Sequence, residues 1–297
     1  MFDVIVVGGG PAGLSAALML GRCRRRVLVC DLAQPRNRRS RALHGYLTRD
    51  GVAPATFIDL GRGELTPYGV QLRHVGVTGA CWTDGRFRVT LADGQEENAS
   101  FLLLATGVID DQPLVPGFDD CYGRSVFHCP YCDGWEWRDR RLAAFGRGID
   151  AVKLAFALKT WSADVALCTG GAALVSRAWA RLERNAIAVR TDPIARLTHD
   201  GGALTSIVFA NGEPLACDAL FFSSGQHPQS DIAVRLGCAL TRHGTVKTGT
   251  LSDTNVPGVF VAGDASRDAQ FVVVAAAEGV KAAVAINKAL LHKELAR

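Results

Sequence analysis

The sequence predicts an α/β protein of two Rossmann-like, three-layer dinucleotide-binding domains, the second inserted into the first. Three observations carry this prediction. A turn Gly8-x-Gly10-x-x-Gly13 stands between a β-branched run and a helical stretch, a second turn Gly146-x-Gly148 stands in the same setting, and a late apolar run ends in Gly263-Asp264 before a long helix. With 297 residues, 48% of them apolar and 21% charged, the chain can bury a large core and is neither disordered nor collagen-like.

Taken in order, residues 3–7 are a short β-branched run, about 11–22 read as a helix and 27–31 as the next strand, which makes a βαβ unit. Residues 87–91 alternate polar and apolar, Asp93-Gly94 marks a hairpin turn, and 101–105 is the continuous apolar run of a strand covered on both faces, ended by Thr106-Gly107. A second cycle follows: strand 142–145, the Gly146-x-Gly148 turn, a helix over about 149–160 and a strand over 164–169. A helix near 177–185, hairpins at Gly201-Gly202 and Asn211-Gly212, and the strand 219–223 complete it. The tail returns to the opening pattern with strand 259–262, the Gly263-Asp264 turn and a helix over about 270–291. Pro113, Pro116 and Gly117 on one side and residues 244–249 on the other mark crossings. The expected domains are therefore 1–115 with 247–297, and 116–246 between them.

The net charge of +4 is small for this length, and the arginines from Arg22 to Arg41 carry no interleaved aromatic residues, which argues against nucleic-acid binding. Arg22, Arg24 and Arg25 stand where the first helix should end and suit the negative end of its dipole. No signal peptide is expected, because the first apolar run leads straight into glycines, so the expected location is the cytoplasm. The late apolar segment 271–286 is broken by Glu278 and Lys281 and is too short to span a bilayer. Of the nine cysteines, Cys23, Cys30, Cys81, Cys121, Cys168, Cys217 and Cys238 lie in or beside apolar runs without metal-ligand spacing, and read as reduced core residues.

In Gly8-Gly9-Gly10-Pro11-Ala12-Gly13 the first glycine permits the tight turn, Gly10 lets the backbone approach a pyrophosphate, and Gly13 lets the helix pack close on the strand. The helix amino terminus then faces the phosphate charge. Asp31 closes the following strand, where a carboxylate accepts hydrogen bonds from ribose hydroxyls. At Gly263-Asp264 the aspartate can hold a ribityl or pyrophosphate oxygen, or it can be a helix cap.

Cys129-Pro130-Tyr131-Cys132-Asp133-Gly134 is a candidate redox centre, since two thiols at this spacing close and reopen a disulfide without moving the rest of the chain. Zinc would need two further ligands, and His128 is adjacent, but no second Cys-x-x-Cys or His-x-x-x-His exists. A structural disulfide closing so small a loop adds little stability. A helix start lowers a thiol pKa, and Asp133 can shuttle the proton a departing thiolate needs.

On Gly8-x-Gly10-x-x-Gly13, Ala105-Thr106-Gly107, Cys129-x-x-Cys132-Asp133-Gly134, Gly146-x-Gly148 and Gly263-Asp264 with the final helix, the chain resembles the low-molecular-weight thioredoxin reductase family over nearly its whole length. The resemblance implies FAD in the first domain, a nicotinamide dinucleotide in the second beside the dithiol, a homodimer, and a working cycle in which one domain rotates against the other. It also implies Cys132 as the sulfur next to the flavin, Cys129 as the one that attacks a thioredoxin-like protein or small disulfide, and Asp133 as the acid. Gly107 and Gln270 would join the flavin-binding set.

Three departures stand out. NADPH-dependent members carry arginines for the 2′-phosphate after the second strand of the inserted domain, and this chain reads Thr169-Gly170-Gly171-Ala172-Ala173-Leu174 there, with neither a base nor an acid. Asp150 places a carboxylate near the second glycine turn, and Gln270-Phe271-Val272 replaces the family's Arg-Gln pair. The expected electron donor is therefore something other than tightly bound NADPH, such as ferredoxin or a second flavin. An alternative is a dithiol oxidase using oxygen, although such relatives place a histidine after the second cysteine, where this chain has Asp133. His44 and His128 are the candidate bases for that chemistry.

Overall fold

A computed structural model describes residues 1–266 and 269–296. Its contacts divide the chain into two compact units. Met1–Arg38, Tyr46–Ile109 and Gln226 onward form the first, and Arg39–Gly45 with Asp110–Gly225 form the second. The first begins with β1 (Phe2–Val7), α1 (Pro11–Arg22), β2 (Val27–Cys30), α2 (Pro54–Leu65), β3 (Gln71–Arg73), β4 (Val77–Thr83), β5 (Arg86–Leu91) and β6 (Glu96–Leu104), and β7 (Val108–Asp110) runs into the chain crossing to the second. The second holds α3 (Phe118–Cys121), β8 (Val126–Phe127), α4 (Pro130–Asp133), β9 (Leu142–Gly146), α5 (Gly148–Leu158), β10 (Val165–Cys168), α6 (Ser176–Arg184), β11 (Ile187–Arg190), β12 (Ile194–Asp200), β13 (Ala203–Phe209), β14 (Pro214–Ala216) and β15 (Ala219–Ser223). The chain returns to the first with β16 (Gln226–Pro228), α7 (Ile232–Arg235), β17 (Val259–Val261) and α8 (Val272–Leu295).

In the first unit the strands run in the order β3-β2-β1-β6-β5-β4, with β17 also on β6. β6 is longer than the apolar run 101–105 suggests because, with β1 along one edge, its other edge serves two partners in turn. Its first half pairs antiparallel with β5, from Phe87 opposite Ala99 to Thr90 opposite Glu96, and its second half pairs parallel with β17. β4 was not legible as a strand, although it closes on β5 through Asp84-Gly85, both at positive φ (49° and 75°), which is the preferred chemistry of a two-residue hairpin. α2 was also missed: Gly61 and Gly63 weaken it, and only Pro54, Ile58 and Leu65 are buried along it, so the apolar stripe is thin.

One face of this sheet is covered by α1, α2 and α8, which bury Leu14, Leu20, Ile58 and Ile286 against Val4, Val6, Val29 and Leu103. The other face carries Ile5, Phe87, Leu102 and Val261 and is closed by Ile232, Ala233, Cys238 and Val246. That packing places residues 226–246 with the first unit, whereas the sequence alone put the return crossing at 246/247. α8 packs tightly on α1, where a Cβ added to Gly279 would fall on the Ala12 carbonyl oxygen. Gly279→Ala is expected to cost about 1–3 kcal/mol by overpacking. Gly63, with open space around it on exposed α2, should by contrast gain up to about 1 kcal/mol as alanine. Thermal unfolding of the two variants checks the opposite signs.

The second unit is built on a parallel sheet of order β11-β10-β9-β15-β8. α5 and α6 bury Val152, Leu158 and Leu182 on one face with Leu142, Leu167 and Phe221. The third layer is the antiparallel sheet β12-β13-β14, whose Leu197, Ile207 and Phe209 meet Ala143, Cys168 and Phe222. Among the described residues no helix is long and apolar enough to cross a membrane.

Candidate functional site

Two constellations emerge, one in each unit. In the first unit, register brings three turns to one edge. Val7 of β1 lies opposite Leu104 of β6, which lies opposite Val261 of β17, so Gly8, Ala105-Thr106-Gly107 and Gly263 all leave the carboxyl ends of adjacent parallel strands. Such an edge is where open α/β sheets bind ligands. Gly8 (φ 107°) presses on the Ala105 carbonyl and Gly13 on the Gly8 carbonyl, so neither position has room for a side chain. A Cβ on Gly10 would instead meet nothing within 4 Å. α1 starts beside it with Pro11 at its first position and no side-chain cap, leaving first-turn amides directed at that space.

Asp31, after β2, accepts the Gly9 amide on Oδ1 at 3.0 Å and the Arg62 guanidinium on Oδ2 at 2.9 Å. Gly263 (φ 80°) packs against the Ala12 methyl, and its amide donates to buried Glu278 Oε2 at 2.9 Å. Asp264 is not the cap of α8, since that helix starts at Val272 with Phe271 as its cap, and Gln270 precedes it. Instead Arg36 Nη1 donates to Asp264 Oδ2 at 3.0 Å and to Gln270 Oε1 at 2.5 Å, tying the two together. Gly107 (φ 71°) has open space around it and accepts the Gln229 amide. Gly8, Gly10, Pro11, Ala12, Gly13, Asp31, Gly107, Gly263, Asp264 and Gln270 thus belong to one unit, and the sequence reading missed Arg36 and Arg62 as their partners. Open space at Gly10, uncapped helix amides and a carboxylate at the next strand end fit a dinucleotide such as FAD.

In the second unit, Cys129 and Cys132 are joined by a disulfide with their Cα atoms 5.3 Å apart. Cys129 follows β8 and caps α4, where Pro130 occupies the first position and the Cys132 amide donates to Cys129 Sγ at 3.2 Å. An amide aimed at that sulfur stabilises a Cys129 thiolate once the bond opens. Gly134 is required behind them: a side chain there would meet the Trp161 indole at 2.7 Å, and the same indole receives the Tyr131 ring edge-on at 5.5 Å. Trp135 is 64% exposed, with the Arg138 guanidinium over its ring, while Trp137 tucks against Phe127.

Asp133 ends α4, and its carboxyl pKa is pushed up to about 7. Burial is the main cause; nearby His44 opposes it and Glu136 adds to it. His128 Nδ1 lies 3.7 Å from Asp110 Oδ2, which also accepts the Tyr122 hydroxyl. The other cysteines are free. Burial raises Cys30 to about 11 and Cys168 to about 12. Cys81 departs from the expected core position: it is exposed because β4 is an edge strand, and Cys23 is half-buried at the end of α1.

The second glycine turn links β9 to α5, with Gly148 at φ 63° in open space and no side-chain cap on the helix. Asp150 is exposed and pairs with Lys153 at 3.0 Å. β10 ends opposite Arg190 of β11, but that guanidinium donates to Glu213 and lies over Phe209.

Residues 2–279 match the family model described as pyridine nucleotide-disulphide oxidoreductase. The chain is similar to a probable thioredoxin reductase of Arthroderma benhamiae, 38% identical over 177 residues, or 57% of this chain and 44% of that longer protein. It is 31% identical to the thioredoxin reductase tcpT of Claviceps purpurea over 88% of this chain and 86% of that one. Among solved structures, the putative thioredoxin reductase TrxB of Bacillus anthracis superposes with a TM-score of 0.95 at 32% identity, covering 99% of this chain and all (100%) of that one.

Proposed function

We propose, given that this chain belongs to the pyridine nucleotide-disulphide oxidoreductase family, that it passes electron pairs between FAD held by the first unit and the Cys129–Cys132 disulfide of the second, and on to a thioredoxin-like or small disulfide. It is an oxidoreductase of thioredoxin-reductase type acting on sulfur, and family membership implies FAD. The observation that carries the reading is the Cys129–Cys132 disulfide at the head of α4, followed directly by a carboxyl whose pKa burial pushes up to about 7, so that a large share of it still holds its proton near neutral pH.

The first-turn amides of α1 would face the FAD pyrophosphate, Asp31 the ribose hydroxyls, and Asp264 with Gln270 the remaining polar edge. When bound, the flavin supplies or accepts the electron pair. Opening the disulfide takes two electrons and yields two thiolates, which need two protons to become thiols. Asp133, in its acid form, donates one of these protons, and solvent restores it. Cys129, supported by the Cys132 amide, is the thiolate that attacks the substrate disulfide, and Cys132 resolves the mixed disulfide that results. Free thiols elsewhere in the chain suit a reducing compartment, and we place the protein in the cytoplasm as a homodimer on the family resemblance.

Anaerobic mixing tests both the reading and the donor. A reduced dithiol should bleach the flavin band of the FAD-loaded protein, whereas micromolar NADPH should not do so rapidly, because residues 169–174 carry no cation and Arg190 is engaged by Glu213. Failure of every dithiol to bleach it would end the proposal; rapid bleaching by NADPH would end the claim about the donor. The same lack of a ribose anchor favours a second reading, dithiol oxidation by oxygen, whose sign is oxygen uptake with small dithiols.

A further inference from the structure

Residues Arg39–Gly45 interrupt the sequence of the first unit yet pack with the second. Arg39 fastens this strap. It forms a two-pronged ion pair with Asp119, its Nη2 2.8 Å from Oδ2, and its guanidinium sits 5.8 Å from the centre of the Tyr122 ring. The Arg39 backbone lies so close to Gly123 (φ 75°) that any side chain there would collide with it. At the far end of the strap, His44 Nε2 comes 3.5 Å from Glu136 Oε1, three residues beyond Asp133.

We propose that the strap is part of the dithiol site, and that His44 and Glu136 are an opposed pair of positioning residues that govern when the Asp133 carboxyl can give up its proton. The proposal rests on the function assigned above and deepens it. Protonated His44 favours the carboxylate of Asp133, while ionised Glu136 favours the acid, so the two pull in opposite directions. Their mutual contact limits how far either acts alone. Two other charged pairs lie in this unit: His128 faces Asp110, and on α5, which packs against α4, Asp150 pairs with Lys153 in solvent. Tyr131, on α4 itself, is 70% exposed and leans on Trp161.

Reduction of the disulfide breaks the S–S bond and takes up two electrons, which a bound flavin would supply; one of the two required protons passes from Asp133 to a departing thiolate. His44 and Glu136 supply neither electrons nor that proton. They set the fraction of protein in which Asp133 still holds it.

The test is a pH titration of the Asp133 carboxyl by infrared absorption in the resting disulfide form, the band being assigned by its loss in Asp133→Asn. His44→Gln should move the midpoint up and Glu136→Gln should move it down, each by roughly half a unit or more, with the double variant close to wild type. Arg39→Ala, which frees the strap without touching either residue, should move it up as His44→Gln does, and guards against a poorly folding histidine variant. Midpoints that stay put, or that shift in the same direction for His44→Gln and Glu136→Gln, overturn the proposal. The titration needs neither turnover nor flavin reduction, so its failure alongside normal bleaching by dithiols would remove this inference alone.

Discussion

Cys132→Ser is expected to lower disulfide turnover by roughly 10³-fold or more while leaving FAD uptake unchanged, because serine cannot form the bond that stores the electron pair. The residues proposed to hold FAD lie in the first unit, and the substitution replaces one half-buried atom in the second. The variant also discriminates between the two sulfurs. Cys129 keeps the Cys132 amide, which donates to its sulfur at 3.2 Å, and so keeps its thiolate support. With no neighbour to resolve it, attack on a substrate should stop at a mixed disulfide. Mass spectrometry of the non-reduced adduct would show one substrate molecule per chain, and Cys129→Ser should accumulate far less. Equal trapping by both variants would reverse the roles given to the two sulfurs, and full turnover by either would remove the dithiol from the mechanism.

Asp133→Asn should slow the disulfide-opening half-reaction by roughly 10²–10⁴-fold, the range of a lost general acid. Its pH signature is more telling than its size. In the wild-type protein the acid form declines above pH about 7, so the single-turnover rate should fall on the alkaline side of that value. The amide variant should be slow and lack that limb. Stability should respond with the opposite sign. A carboxyl raised from 3.8 to about 7 contributes stability that is complete below its unfolded value and is lost as pH rises through about 7. Asp133→Asn, having no proton to lose, should therefore gain stability relative to wild type between pH 4 and 8. Denaturant titrations at pH 4, 6 and 8 check this; a gap that does not widen with pH would mean the carboxyl is not held in its acid form.

Much of the architecture was legible because it is written in local chemistry. The runs at 3–7, 142–145 and 219–223 carry the apolar, β-branched signature of covered strands, and the glycine turns after the first two need conformations or clearances that side chains forbid. Where local signals were weak, the reading failed. α2 lacks a broad apolar stripe, and β4 alternates poorly because it is a sheet edge with Cys81 and Trp82 exposed. At β6 the apolar run marked only the half that pairs with β17, since residues 96–99 find their place through the hairpin and carry mixed character.

The candidate sites divide the same way. The turn at Gly8–Gly13 and the Cys129–Cys132 spacing were open to reading from residue order, because a tight turn and a small disulfide ring depend on neighbours in the chain. Arg36 beside Asp264 and Gln270, Arg62 beside Asp31, and His44 beside Glu136 were not, since each joins residues far apart in sequence. Residue order alone therefore determined the kind of chemistry this protein is equipped for, two glycine-turn units and one dithiol. Folding decided the proton affinity of Asp133 and the company each site keeps, for burial and Coulomb interaction depend on distance through space, which the linear chain does not state.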